Sequence, residues 1–137
     1  MLTTELLHPS ILRALANCGH GDKILITDGN YPLDSDVNEN TEKIYLALKS
    51  DLPKATEVLK VLNTQINFEK AEVMSPDEGE QPAIYEEFKE ILDTGELSEL
   101  GRFDFYDVCK NASNLKLGIN TGETRTFANI LLTIGVR

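Results

Sequence analysis

The run Asn129-Ile130-Leu131-Leu132-Thr133-Ile134-Gly135-Val136 is almost continuously apolar. A short run of this kind reads as a strand buried on both faces. Such a strand needs a layer of chain above it and another below. Residues 23–27 form a second short apolar run, and residues 43–48 look like a third strand. Residues 67–74 alternate, with Phe68, Ala71 and Val73 marking the apolar positions. Leu115, Leu117 and Ile119 alternate in the same way, and residues 97–102 read as a short strand ending at Arg102.

Segments of helical period lie between these runs. Pro9 or Ser10 starts a helix through Ala16 that places Ile11, Leu12, Leu15 and Ala16 on one face, with Gly19 as its stop. Asp51-Leu52-Pro53 opens a helix to about Asn63, with Ala55, Val58, Leu59 and Leu62 inward. Pro82 starts another, to about Asp93, that turns Ile84, Phe88, Ile91 and Leu92 inward and is ended by Gly95. Residues 103–112 place Phe105, Val108, Cys109 and Ala112 at helical spacing. Interleaved strands and helices predict an α/β fold, a sheet with helices on both sides. At 137 residues, with no repeat, low-complexity tract or linker, one domain is expected across 1–137.

Charge narrows the class of partner. Acidic residues outnumber basic ones 23 to 13, for a net charge of −10. That field repels nucleic acid and anionic membrane, and it disfavours a phosphorylated substrate unless basic residues gather at one site. A neutral small molecule or a protein partner suits it better. No segment is long and apolar enough to span a bilayer, and Met1 to Glu5 show no signal-peptide pattern. Cys18 and Cys109 match no metal spacing. Free thiols in a reducing, cytoplasmic compartment are the expectation.

Four places could carry chemistry. His20 sits between Gly19 and Gly21, which let the backbone bend and keep bulk away from an imidazole able to move protons near neutrality. The plain alternative is a turn histidine. Asp28 ends the apolar run 23–27, where ligands bind in open α/β sheets; it could orient an imidazole, accept a bond from a sugar hydroxyl, or simply form an Asx-turn before Gly29. A turn carrying His20 and a strand tip carrying Asp28 could face each other across one crevice. Arg102 precedes Phe103, Phe105 and Tyr106: either donors beside aromatic cover for a sugar ring, or a helix-terminal charge beside core. Residues 121–129 form a polar loop ending in Asn129, which both donates and accepts. Glu5, His8, Glu86 and Glu87 read as surface or helix start. No phosphate-binding glycine motif, zinc-type cluster or Gly-x-Ser-x-Gly elbow occurs. Metal-free acid–base work or simple binding remains.

Taken together, these stretches resemble the D-ribose pyranase and L-fucose mutarotase family (RbsD/FucU type) over essentially the whole chain. The likeness is carried by residues 15–28 with Gly19-His20-Gly21-Asp22, by Pro32, by Arg102-Phe103-Asp104-Phe105-Tyr106, by Thr121-Gly122-Glu123, and by Ala128-Asn129-Ile130-Leu131-Leu132 with Gly135-Val136. It implies a three-layer α/β/α fold with a central mixed β-sheet, and a ring-like homo-oligomer with sites at subunit contacts. It also implies interconversion of the forms of a free monosaccharide with no cofactor and no metal. The family's proton-transferring histidine falls on His20 and its sugar-binding aspartate on Asp28. Its fucose-type members carry arginine before a Phe-x-Phe-Tyr run, here Arg102, where ribose-type members have a nearby histidine. Its last binding segment falls on Phe127, Ala128 and Asn129; the family usually has tyrosine at the first of these, and Phe127 lacks that phenolic oxygen. The expected activity is thus a fucose-type mutarotase. The alternatives are a D-ribose pyranase and a non-catalytic sugar-binding or regulatory subunit of an uptake system.

Overall fold

The computed structural model describes residues 1–137. Its elements, in order, are α1 (Pro9–Ala16), β1 (Lys23–Thr27), β2 (Glu42–Tyr45), α2 (Ala55–Asn63), β3 (Phe68–Ser75), α3 (Ile84–Leu92), β4 (Ser98–Gly101), α4 (Arg102–Asn111), β5 (Leu115–Asn120) and β6 (Ile130–Ile134). The strands form one sheet in the order β2-β5-β1-β6-β3-β4. β6 runs antiparallel to its neighbours β1 and β3, while the β1–β5, β2–β5 and β3–β4 pairs are parallel. Every strand but β6 therefore points the same way, and their carboxyl ends share one edge of the sheet.

The apolar run at the carboxyl terminus behaves as its composition demands: all of β6 is buried. Ile130, Leu132 and Ile134 face one way, with Ile24 and Ile26 of β1 and Leu117 and Ile119 of β5. Against them pack Ile11 of α1, Leu59 of α2 and Phe88 of α3. Leu131, Leu25 and Met74 face the other way, onto Phe105 and Cys109 of α4 and onto Tyr31 and Leu33 of the segment after β1. Three helices thus cover one face, and a single helix plus a packed loop covers the other. This is the expected three-layer α/β/α arrangement around a mixed sheet.

The structure differs from the sequence pattern at a few places. Leu115 does not share a face with Leu117 and Ile119. The β1–β5 register slips between Lys23 and Ile24, so Lys116 has no partner of its own and Leu115 turns to the α4 side. The third helix stops at Asp93, which takes the left-handed conformation (φ 52°) usually left to glycine, so Gly95 is not its stop. Strand β2 ends at Tyr45, leaving Leu48 exposed in a turn. Arg102 opens α4 rather than closing β4.

Two close approaches fix the loops over the carboxyl edge. A Cβ on Gly122 would lie 2.3 Å from the Lys49 carbonyl oxygen and 2.8 Å from the Leu52 nitrogen, both backbone atoms of the β2–α2 connection. One on Gly118 would crowd the Leu33 side-chain tip, at 2.7 Å, with Thr41 Cγ2 in ordinary contact at 3.6 Å. Gly122→Ala should therefore cost about 2 kcal/mol or more, and Gly118→Ala clearly less, because a leucine methyl can rotate away and a peptide cannot. Denaturant unfolding of the two variants checks that order.

Candidate active site

The carboxyl edge of the sheet holds a cavity of about 210 Å³. Adjacent strands each deliver a lining residue: Asp28 follows β1, Asn129 precedes β6, Met74 nears the end of β3 and Arg102 follows β4. Tyr106, one turn into α4, and Phe127, from the loop before β6, complete an aromatic wall. Ligands bind at such an edge because strand ends and connecting loops leave polar groups there while the sheet body stays dry.

Asp28 is almost fully buried, at 2% exposed. Its Oδ1 accepts from the backbone N–H groups of Asn30 (2.9 Å) and Tyr31 (3.0 Å), which is the Asx-turn form. Its Oδ2 accepts from the Ala128 N–H at 3.3 Å and from Asn129 Nδ2 at 3.4 Å. Asn129 Oδ1 accepts in return from the Asp28 N–H at 2.8 Å. The structural and the ligand-binding alternatives for Asp28 are therefore compatible: the same carboxylate makes the turn and lines the cavity. Burial raises its pKa above the usual aspartate value, the nearby Glu123 charge adds to this, and the N–H donors of Asn30, Ala128 and Tyr31 oppose it.

Ala128 contributes its backbone; its side chain lies in the core. Phe127 is half-buried with φ 57°, a conformation a bulky residue adopts only when its surroundings impose it. The Arg102 guanidinium carbon sits 5.6 Å from the Phe103 ring centroid and 5.8 Å from that of Tyr106. It lines the cavity and makes no ion pair, so its donors are uncommitted.

His20 lies elsewhere. It is in the turn before β1, at the amino edge, exposed, in a separate depression with Asn67 and Gly135. β1 itself separates it from Asp28, about 17 Å for five residues at ~3.3 Å each. The expectation that His20 and Asp28 face one crevice is therefore not met within a single chain. The physical reason is plain: the two flank a fully extended strand, which holds them apart.

Sequence reasoning also missed the loop's anchor. Glu123, only 1% exposed, accepts from Arg125 at the backbone nitrogen (3.3 Å), Nε (2.8 Å) and Nη2 (3.2 Å). Arg125 also pairs through Nη1 with Glu87, which is thus no idle surface charge. Burial alone would raise the Glu123 pKa, but the Arg125 bonds outweigh it and hold the carboxyl below its usual value. The Glu123 carbonyl receives the Gly29 N–H at 2.9 Å, so this residue joins the loop to the Asp28 turn. Glu and Arg two apart in a loop were the only local hint.

No three His, Cys, Asp or Glu residues are grouped to hold a metal ion, and no helix is long and apolar enough to cross a membrane.

Comparison with known proteins agrees with this architecture. The model of the RbsD / FucU transport protein family matches residues 1–137. A D-ribose pyranase of Staphylococcus haemolyticus is 32% identical over 136 residues, covering 99% of this chain and 98% of that protein. One from Lactobacillus acidophilus is 32% identical with the same coverage. The structure of Bacillus subtilis RbsD complexed with D-ribose superposes with a TM-score of 0.85 at 27% identity, covering 100% of this chain and 99% of that one. The fucose mutarotase of Streptococcus pneumoniae in complex with L-fucose gives 0.80 at 27% identity, covering 95% and 94%. By the full-length match and the shared fold, this chain belongs to the RbsD / FucU family.

Proposed function

We propose that the protein is a cofactor-free isomerase of a free reducing monosaccharide, acting by acid–base opening and closure of the sugar ring. The observation that carries this reading is the cavity at the carboxyl edge. It joins a buried carboxylate, a carboxamide, an uncommitted guanidinium and aromatic faces in a space suited to one sugar ring. Sugars are bound in this way, by fixed polar groups for hydroxyls and rings for the apolar C–H face. The known relatives, named as a pyranase and a mutarotase, support the same chemistry.

Asp28 and Asn129 hold hydroxyls, Arg102 reaches others from the mouth, and Phe127 and the Ala128 backbone shape the floor. His20 moves the protons. Because it lies at the far edge of its own chain, it must come from a second copy, whose amino edge closes the first copy's cavity in a ring-like homo-oligomer. In the reaction the anomeric hydroxyl gives up its proton as C1=O forms. The C1–O bond of the ring breaks, and the ring oxygen takes a proton. Rotation of the aldehyde and the reverse steps give the other anomer. A positioned acid–base group contributes about 10²–10⁴-fold to such transfers.

Arg102 favours a fucose-type sugar. A D-ribose pyranase is the second reading, supported by the pyranases 32% identical to this chain. Phe127, which brings no hydroxyl to the cavity, supports a third: a subunit that binds sugar without turning it over.

NMR saturation transfer on fucose, galactose and ribose separates these readings. Exchange with fucose at the highest kcat/KM supports the first, fastest pyranose–furanose exchange of ribose the second, and binding without exchange the third. Arg102→Ala should raise KM about tenfold, the loss of one charged hydrogen bond. His20→Ala should slow exchange by at least about 100-fold with an unchanged circular dichroism spectrum; full activity removes the acid–base role. Neither His20→Ala nor Asp28→Asn should be active alone. Co-expressed, they should recover about a quarter of the sites, the random-mixing result for a site built from two chains.

A further inference from the structure

The His20 ring is held by a carboxylate from another strand. His20 Nε2 lies 2.9 Å from Oε2 of Glu69, the second residue of β3. Both ends of this contact are fixed from behind. The turn carrying His20 is fastened by the Gly21 N–H to the Ile134 carbonyl (2.9 Å) and by Asn114 Nδ2 to the Gly21 carbonyl (2.8 Å). Asp22, two residues on from His20, is tied into the turn, its Oδ2 accepting the Gly19 N–H at 2.9 Å. On the Glu69 side, the absence of a side chain at Gly135 lets the chains approach closely: a Cβ there would lie 3.2 Å from that of Glu69. Lys70, next along β3, pairs with Glu72 and leaves Glu69 to the histidine.

A carboxylate can only accept, so this contact is a hydrogen bond when Nε2 carries the hydrogen. In a neutral imidazole the remaining lone pair is then on Nδ1. We propose that Glu69 is the positioning residue for His20, fixing the Nε2–H tautomer and the ring plane so that Nδ1 is the atom that exchanges protons with the sugar. This rests on the acid–base role given to His20 above. Nδ1 takes the proton of the anomeric hydroxyl while C1=O forms and the C1–O ring bond breaks. The resulting imidazolium returns a proton to the ring oxygen, and His20 ends as it began. Throughout, the imidazolium charge develops beside the Glu69 carboxylate.

The pair is half exposed on both sides, 57% and 46% by side chain. An ion pair in that setting contributes little to stability. Its influence should therefore appear in the rate and in the tautomer, and hardly in the melting temperature.

The test combines imidazole ¹⁵N NMR with saturation-transfer kinetics on the assembled protein, using His20→Ala to assign the His20 signals against His8. The wild type should show the Nε2–H tautomer at alkaline pH. Glu69→Ala should shift His20 toward a tautomer mixture and lower kcat about tenfold, with KM within about twofold. Glu69→Gln, whose amide oxygen can still accept from Nε2–H, should recover part of that loss. A wild-type Nδ1–H tautomer, or a wild-type rate in Glu69→Ala, overturns the inference while leaving the sugar-isomerase reading intact. A wild-type protein that exchanges no sugar overturns that reading, and this inference with it.

Discussion

The junction between Asp28 and Asn129 decides what the carboxyl edge of the sheet can be. The β1–β6 ladder ends at the pair Ile26 and Ile130. Beyond it the chains must separate into loops, and the last backbone groups lose their partners. Asn129 Oδ1 takes the Asp28 N–H, and its amide reaches the Asp28 carboxylate in return. The ladder is in effect extended by side chains. Burying a carboxylate here is tolerable only because four donors meet it. Those donors come from the segments on both sides of the cavity, so the group that closes the sheet also sets the cavity's width. Closing the sheet and lining the cavity fall to one residue.

A second buried carboxylate makes this arrangement coherent. Glu123 and Asp28 are near enough for the Glu123 charge to raise the Asp28 pKa, yet their shifts have opposite signs. Arg125 neutralises Glu123 at close range and keeps it ionised; Asp28 has no cation, only dipoles, and burial dominates. Glu123 is therefore a fixed anchor, while Asp28 remains the carboxylate whose environment a ligand could change. The left-handed backbone of Phe127 costs of order 1 kcal/mol. It is held between Arg125, bonded to Glu123 and two residues upstream, and the Ala128 N–H bond to Asp28 one residue downstream.

Sequence patterns made most of the scaffold legible because burial on both faces leaves an apolar run in β1 and β6, and burial on one face leaves a period in α1 and α2. Leu115 was misplaced because the slip that turns it belongs to the pairing of two strands about 90 residues apart in sequence, not to either strand alone. Asp28, Arg102, Phe127 and Asn129 are gathered in the sequence only by the family resemblance; the structure brings them to one edge because each stands beside a strand end. Glu87 and Glu123 could not be gathered, since their meaning depends on Arg125, 38 residues from Glu87 in the chain. His20 and Asp28 share no crevice within one chain for a simpler reason. They flank β1, and a strand of that length holds its two ends apart.

That strand length has a consequence for how the protein can work. A strand inside a sheet is stiff; its ends cannot be brought together by a loop motion without unzipping the pairs with β5 and β6 on either side. Hinge or lid closure is therefore no route from His20 to the cavity of its own chain. Translation of a second copy is a route, because the amino edge of one sheet and the carboxyl edge of another are unlike surfaces and can meet head to tail. Contacts of that heterologous kind close into rings when the rotation between copies is suitable. Two copies, each at −10, repel one another at long range. Any contact between copies would then have to be short-ranged and well fitted to overcome that repulsion.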